Sequence, residues 1–176
     1  MLKIKEVLNF ESAYIQNMED EYIPFKLVGK DFESQLGKIL YWSIASKAGS
    51  LIEIGINEIT GRIEDITCTT LSKIDYKADG FVIKNQLKEG CQTPIVDTAI
   101  WKKSNENYIR VEGIILYNLF ENNFSLDFSG EVVTKVIRLS NNFFIGFNNK
   151  SEIVNLKILD LNEMQVKNFI EIIRSS

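Results

Sequence analysis

Apolar and polar residues alternate most regularly between residues 51 and 57, where Ile52, Ile54 and Ile56 are separated by Glu and Gly. Alternation with a period of two is the pattern of a β-strand with one buried face. A short stretch containing Asn and Gly follows, and both residue types tolerate the backbone angles of a tight turn. Residues 62–72 are then rich in Ile and Thr, whose branched side chains suit a pleated surface. Together these segments predict a β-hairpin.

The second strand of this hairpin has one irregularity. Ile63 and Ile66 are three residues apart, so a regular strand would place them on opposite faces. Either a β-bulge lies between them or the strand is buried on both faces.

Strand-like patterns recur through most of the remaining chain. Residues 108–120 form the longest, and a helix is the alternative there because Val111, Ile114 and Leu119 also share one helical face. Gly113 and the β-branched residues favour a strand. Paired asparagines divide the last third into a β-meander, since Asn suits tight turns. The predicted strands and short extended segments are 26–29, 38–45, 81–84, 95–101, 108–120, 124–128, 132–139, 142–147 and 153–160.

Helical spacing is found near both ends of the chain. Residues 10–20 predict a short helix and residues 32–37 a helical turn. From residue 161 onward the period changes to that of a helix, with Asp160 or Asn162 available as the N-cap. Its apolar positions are Val166, Phe169, Ile170 and Ile173. Such an amphipathic helix has to cover an apolar surface, and the sheet is the only large candidate.

The sequence therefore predicts an α+β fold, in which a mostly antiparallel, strongly twisted sheet carries helices on one face, including the C-terminal amphipathic helix. With 176 residues the chain is expected to form a single domain over residues 1–176. On folding, a chain of this size buries roughly 70% of the surface that the unfolded chain exposes. This is enough for a hydrophobic core that needs no disulfide or metal ion to stabilise it.

Charge and composition limit the partners and the cellular location that the sequence predicts. The net charge is −4 and the estimated pI is 5.0, which argues against a general nucleic-acid binder. Charged residues interrupt the first ten positions, so no signal peptide is expected, and no apolar run is long enough to span a membrane. Cys68 and Cys91 are interpreted as a buried residue and a loop residue. A cytoplasmic location is the default expectation.

The inventory of reactive residues is poor, because the chain has no histidine. This excludes Ser-His-Asp and Cys-His catalysis and His-ligated zinc. No phosphate-binding loop, EF-hand or nucleophile elbow is present. Glu64 and Asp65 are adjacent, so on a regular strand they would face opposite sides and make a poor acid–base pair. We therefore expect no enzymatic activity, no catalytic residues, no cofactor and no metal site.

Two tryptophans allow a second interpretation. Trp42 and Trp101 could line a site for a small ligand or stack on the bases of single-stranded nucleic acid. Packing in the core is the simpler explanation, and the net negative charge favours it.

The whole pattern resembles a known kind of protein. The segment Glu53–Ile63 (EIGINEITGRI), the long strand after Trp101, the Asn-turned meander and the C-terminal helix together are similar to immunity proteins of bacterial contact-dependent growth inhibition systems. The resemblance implies a cytoplasmic protein that binds the C-terminal nuclease domain of a cognate toxin, often a DNase, and blocks its active site or its access to substrate. In one subgroup it implies binding by addition of a toxin β-hairpin to the sheet. It transfers no individual binding residue.

An acidic inhibitor would complement the lysines and arginines with which a nuclease grips phosphate. The candidate contacts are carboxylates of the hairpin, the loop rim and the long strand: Glu53, Glu64, Asp65, Asp97 and Glu112. The simpler alternative for each is a solvated carboxylate without a partner role. The partner expected from the resemblance is the toxin nuclease domain, with no membrane and no direct nucleic-acid contact. The alternative function is the ligand-binding or nucleic-acid-binding β-domain built on the two tryptophans.

Overall fold

The computed structural model describes residues 1–9, 14–17, 23–29, 36–77 and 90–175. The described chain is dominated by antiparallel strands, with two α-helices and a 3-10 turn at Lys73–Asp75. The strands are β1 Ile4–Asn9, β2 Tyr14–Asn17, β3 Phe25–Gly29, β4 Ile39–Ala45, β5 Leu51–Asn57, β6 Ile63–Thr70, β7 Gln92–Val96, β8 Tyr108–Glu112, β9 Leu116–Phe120, β10 Asn123–Asp127, β11 Lys135–Arg138, β12 Phe143–Phe147 and β13 Ile153–Ile158. The helices are α1 Ala99–Ser104 and α2 Glu163–Ser175. The predicted α+β class, with its mostly antiparallel strands and C-terminal helix, is confirmed.

The strands are divided among three sheets. Six form a sheet in the order β2-β3-β6-β5-β4-β8, in which only the β4–β8 pairing is parallel. Five form an antiparallel sheet in the order β11-β12-β13-β10-β9, and β1 pairs with β7 as a separate two-stranded sheet. The meander predicted for the last third supplies four of the five strands of the second sheet.

Aromatic side chains join the two large sheets face to face. The ring of Phe25 on β3 meets those of Phe124 on β10 and Phe143 on β12, each at a centroid distance of 5.8 Å. Trp42 on β4 lies 6.3 Å from Phe128, just beyond β10. These residues belong to one continuous apolar core, so the inner faces of both sheets are closed against each other.

Helix α2 adds to the same core. Phe169 is 1% exposed and stacks on Phe124 with the ring centroids 4.5 Å apart. At the helix start, Asn162 Oδ1 accepts the Gln165 N–H at 2.9 Å, while Gln165 Oε1 accepts the Asn162 N–H at 3.0 Å. This reciprocal capping fixes where the helix begins and confirms Asn162 as one of the two predicted caps.

The hairpin and its irregularity are also confirmed. The register between β5 and β6 shifts between Gly55 and Ile56, so that Gly55 opposes Asp65 while Ile56 opposes Ile63. Glu64 is the extra residue of a β-bulge. The bulge returns Ile63 and Ile66 to the buried inner face, where they are 1% and 0% exposed.

Three local predictions were wrong over the described residues. Residues 14–17 form a strand paired with β3, so sheet pairing overrides the helical spacing that residues 10–20 show in isolation. The segment 95–101 is a strand only as far as Val96 and then turns into α1. Residues 108–120 form two strands in different sheets, because the chain leaves the six-stranded sheet after Gly113, whose N–H donates to Ala45 O at 3.0 Å. Residues 32–35 of the turn predicted over 32–37 lie outside the described residues, as does the segment 81–84, while residues 36 and 37 are not helical.

Other expectations concern membranes and cysteines. No helix in the described part of the chain has the length and apolar content needed to cross a bilayer. Cys68 is fully buried in β6 and Cys91 is half-buried before β7, as interpreted from the sequence, and the structure shows both as free thiols. Burial raises the pKa of the Cys68 thiol well above its ordinary value.

Candidate protein-binding site on the six-stranded sheet

The outward-facing side chains of the six-stranded sheet form the surface that we call the outer face. Strand registers place them in two rows across the sheet, with Glu112 one step beyond the first row on β8. The first row is Lys26, Thr67, Glu53, Ser43 and Arg110, and the second is Val28, Asp65, Gly55, Tyr41 and Tyr108. Because side chains alternate across a strand, these polar rows are the counterpart of the apolar rows on the inner face.

Two tyrosines mark the end of the outer face next to β8. Tyr41 and Tyr108 are opposite each other on the parallel strands β4 and β8, with ring centroids 6.4 Å apart. They are 37% and 41% exposed, which is high for aromatic residues of a sheet. Large amphipathic rings that are partly open to solvent are typical of protein interfaces.

Glu53 occupies the middle of this surface and is held on both sides. Its Oε1 accepts a hydrogen bond from the Tyr108 hydroxyl at 3.0 Å, and its Oε2 accepts one from Thr69 Oγ1 at 3.3 Å. The first of these bonds reaches over β4, where the Ser43 side chain is fully buried and its hydroxyl has no partner. The Glu53 carboxylate is therefore positioned by its neighbours.

Asp65 gives the outer face its clearest electrostatic signature. Burial raises the pKa of the Asp65 carboxyl, and the Glu53 carboxylate raises it further, while Lys26 and a hydrogen bond from Thr67 act in the opposite direction. Burial likewise raises the pKa of the Tyr41 hydroxyl, and Asp65 and Glu53 add to that effect. The carboxylates thus feel one another across the strands.

The outer face ends at an open strand edge. Tyr41 N–H donates to Asn107 O at 2.7 Å and Gly113 N–H donates to Ala45 O at 3.0 Å, and these bonds bracket β8. In a parallel ladder the backbone groups of alternate residues bond to the same neighbour. Those of Tyr108, Arg110 and Glu112 therefore point away from β4, towards a side where no described strand pairs with β8.

The structure groups three of the five sequence-predicted contact residues on this surface. Glu53 and Asp65 are near its centre, and Glu112 is at its end, where it forms an exposed ion pair of 3.6 Å with Lys47. Glu64 is the bulge residue of β6 and is only 2% exposed, so it offers no surface to a partner. Asp97 lies on a different surface at the start of α1, where its Oδ1 accepts the Ala99 N–H at 3.0 Å.

Sequence reasoning missed Tyr41, Tyr108 and Arg110 as members of the surface. The polar parity of residues 108–112 was visible as alternation, but it did not show which strand β8 would join. The parallel pairing of β8 with β4 connects segments more than sixty residues apart, and only that pairing brings the tyrosines together.

Comparison with known proteins does not assign the chain to a family. No protein-family model matches the chain, and a search of curated proteins finds no match. Functional inference therefore rests on the surface itself.

The two tryptophans do not contribute to an exposed site. Trp42 is 1% exposed in the core, and Trp101 is 3% exposed, with its Nε1 donating to Tyr41 O at 3.2 Å. Neither indole presents a face on which a base could stack. Trp101 instead supports the backbone of β4 beneath the tyrosine pair.

Metal-binding side chains are not grouped in the part of the chain that the structure describes. No set of three His, Cys, Asp or Glu residues is close enough there to hold an ion. What the outer face offers is a set of hydrogen-bonding side chains, two accessible aromatic rings and, along β8, backbone groups that no described strand pairs with.

Proposed function

We propose that this protein is a cytoplasmic immunity protein, which binds the nuclease domain of a cognate toxin by accepting one of its strands at the free edge of β8. The observation that carries the proposal is the set of backbone groups at Tyr108, Arg110 and Glu112 that point away from β4 and have no partner among the described residues. The proposal assigns no catalytic step, cofactor or metal to this chain. A metal found in the complex would be held by the partner.

Strand addition suits this edge because affinity comes from main-chain hydrogen bonds, while side chains beside the edge provide specificity. The residues that direct their backbone outward also place their side chains on the outer face. A strand added to β8 would therefore lie beside Tyr108 and Arg110, residue types enriched at energetically important interface positions.

Charge supports a basic partner. The chain has a net charge of −4, and a nuclease that grips phosphates presents lysines and arginines. On the outer face, Glu53 and Asp65 form the central pair of carboxylates, although Lys26 and Arg110 are close by. Complementary charges of this kind mainly accelerate association and select the partner.

The decisive experiment removes one backbone donor from the edge. Arg110→Pro deletes the Arg110 N–H, which points away from β4, so the substitution leaves the ladder between β4 and β8 intact. Arg110→Ala is the matched control, because it removes the same side chain and keeps the N–H. Binding to the nuclease domain encoded directly upstream is measured by calorimetry, and protection is measured by co-expression.

We expect the proline variant to bind at least tenfold more weakly than the alanine variant. The proline removes the main-chain hydrogen bond from Arg110 N–H to the added strand and weakens the adjacent main-chain bonds. Circular dichroism of both variants verifies that the fold is kept. Equal affinity of the two variants would exclude strand addition at β8. Failure of the unmodified protein to bind or protect against the upstream domain would exclude the immunity function.

A further inference from the structure

Strand β8 presents two chemically different sides to a strand that adds to its edge. Its residues alternate between exposed and half-buried. Tyr108, Arg110 and Glu112 lie on the outer face, while Ile109 and Val111 face the core. Residues paired across two strands point to the same face of a sheet, so an added strand continues this alternation. Each side of the edge therefore sets its own requirement for the strand that binds there.

On the core side, the apolar layer is incomplete at β8. The partners of Ile109 and Val111 on β4 are Trp42 and Ile44, and each of these is only 1% exposed. Ile109 and Val111 pack against the same core but stay half-buried. Because β8 is the last described strand in the sheet order, an added strand would extend the apolar layer beside both side chains. Apolar residues are therefore favoured at the two positions opposite Ile109 and Val111.

On the outer side, Arg110 is an exposed cation without a counter-ion among the described residues. Its guanidinium takes part in none of the ion pairs found there. The carboxylates of the outer face are engaged or remote: Glu53 is held by two hydroxyl groups, and Glu112 pairs with Lys47 at 3.6 Å. Asp65 is on β6, three strands from β8 in the sheet order. Arg110 is thus available to a charge on the added strand.

The register places Arg110 at the centre of the accessible edge. Its backbone groups point away from β4, and those of Tyr108 and Glu112 do the same two residues to either side. A residue that pairs with Arg110 would bring its own side chain onto the outer face, beside the guanidinium. Opposite charges attract at such cross-strand positions, and a carboxylate can accept two parallel hydrogen bonds from a guanidinium.

We propose that β8 selects an amphipathic strand, with a carboxylate opposite Arg110 and apolar side chains at the two flanking positions, against Ile109 and Val111. This inference rests on the strand addition proposed above, although the identity of the protein that supplies the strand does not enter it. It differs from what net charge alone favours, since a chain of charge −4 attracts basic strands in general. A basic partner domain meets both conditions if its binding strand carries this one acidic residue.

The test uses two β-hairpin peptides, each closed by a disulfide, as probes. Both carry the strand Thr-Val-X-Val-Thr, in which X is glutamate in the acidic peptide and lysine in the basic peptide. Binding of the labelled peptides to the full chain is measured by fluorescence anisotropy at low ionic strength. Arg110→Glu reverses the charge at the edge. Lys135→Glu is the matched control, because it makes the same change at an exposed position of the five-stranded sheet.

We expect the unmodified protein to bind the acidic peptide more tightly than the basic peptide, by about fivefold or more. Arg110→Glu should reverse this order, and Lys135→Glu should keep it. Circular dichroism verifies that both variants are folded. Equal affinity for the two peptides, a preference for the basic peptide, or no binding of either at millimolar concentration would overturn the proposal.

A second pair of variants tests the apolar requirement. Val111→Thr replaces a methyl group by a hydroxyl at nearly constant shape, and it should weaken binding of the acidic peptide by about threefold or more. Val132→Thr is the same substitution at a position that is 79% exposed and lies outside β8, and it should leave binding unchanged. Equal effects of the two would remove the apolar half of the proposal. Failure of the upstream nuclease domain to bind would count against the immunity function alone, because the peptide results do not depend on that domain.

Discussion

The two large sheets make opposite use of their outward faces. In the five-stranded sheet all five residues of β12 are buried, and so are five of the six residues of β13. In the six-stranded sheet the edge strand β8 alternates exposed with half-buried residues. One sheet is thus enclosed on both sides near its centre, whereas the other keeps a surface at which a partner can bind.

The two sheets also differ in the burial of their polar side chains. On the five-stranded sheet, Ser125 and Asn155 are 3% and 2% exposed, and Asn155 Nδ2 donates to Ser125 Oγ at 3.4 Å. On the six-stranded sheet, Glu53 satisfies its carboxylate with hydroxyls at a partly open surface. Polar groups in an enclosed sheet serve packing and specificity, while those of an open face remain available for recognition.

Truncation of a shared core ring should give the largest effect. Phe124 is fully buried, and its ring meets those of Phe25 and Phe169. We expect Phe124→Ala to lower the free energy of unfolding by about 3–5 kcal/mol, measured by urea denaturation. Phe120→Ala is the matched control in the same sheet, because Phe120 is 59% exposed, and it should cost no more than about 0.5 kcal/mol. Similar losses in the two variants would contradict the assignment of the core between the sheets.

A methyl group added at a central glycine should destabilise the protein by different amounts in the two sheets. At Gly146, on the five-stranded sheet, a Cβ would lie 2.9 Å from Val133 Cγ1 and 3.0 Å from Asn155 Cβ. At Gly55, on the six-stranded sheet, it would meet the Asp65 carboxylate and lie 3.2 Å from Ile39 Cγ2, and both of these groups are at the ends of side chains.

We therefore expect Gly146→Ala to cost about 1–3 kcal/mol of unfolding free energy, as overpacking usually does. Gly55→Ala should cost less than half of that, measured by the same denaturation. The reverse order would show that the outer face of the six-stranded sheet is the more tightly packed of the two.

The sequence predicted the parts of the fold that depend on local pattern. Alternation around Ile54 located the hairpin, and the three-residue spacing of Ile63 and Ile66 predicted either a bulge or a strand buried on both faces, of which the structure has the bulge. The change of period after residue 160 located α2. Each of these patterns is contained in a window of about ten residues, and hydrophobic periodicity can be recognised in a window of that length.

Pairing between distant segments was beyond the reach of local pattern. A single apolar run over residues 108–120 concealed the step from one sheet to the other at Gly113. The candidate site depends on the same step, because the parallel register of β8 with β4 brings Tyr108 next to Tyr41. Carboxylates could be nominated from the sequence, but their grouping on one face required the strand order.

The pH dependence of stability should show that one carboxyl of the outer face, Asp65, is partly desolvated in the folded state. The pKa of Asp65 is raised above 3.8 in the folded state, mainly by burial, so the folded state binds the proton first as the pH falls. Stability is therefore gained as the pH falls through the folded pKa towards 3.8, and lost as the pH rises through the same window.

We expect Asp65→Asn to flatten this part of the profile and to raise stability above this pH window, because burial disfavours the charged form of the carboxyl. Glu112→Gln is the control, because it removes one negative charge from the exposed end of the same face. The measurement is urea denaturation at a series of pH values. An unchanged slope in Asp65→Asn would assign the dependence to another group.

The smallest effect should come from the hydrogen bond between Tyr108 and Glu53. Both side chains lie at a surface that solvent reaches, so water can replace the bond when Tyr108→Phe removes it. We expect this variant to lose about 0.5 kcal/mol or less, and a double-mutant cycle with Glu53→Gln to give a coupling below about 1 kcal/mol. A coupling near 2 kcal/mol would mean that Glu53 is desolvated as strongly as the polar groups of the five-stranded sheet. The outer face would then be closed in solution, and the distinction between the outward faces of the two sheets would fail.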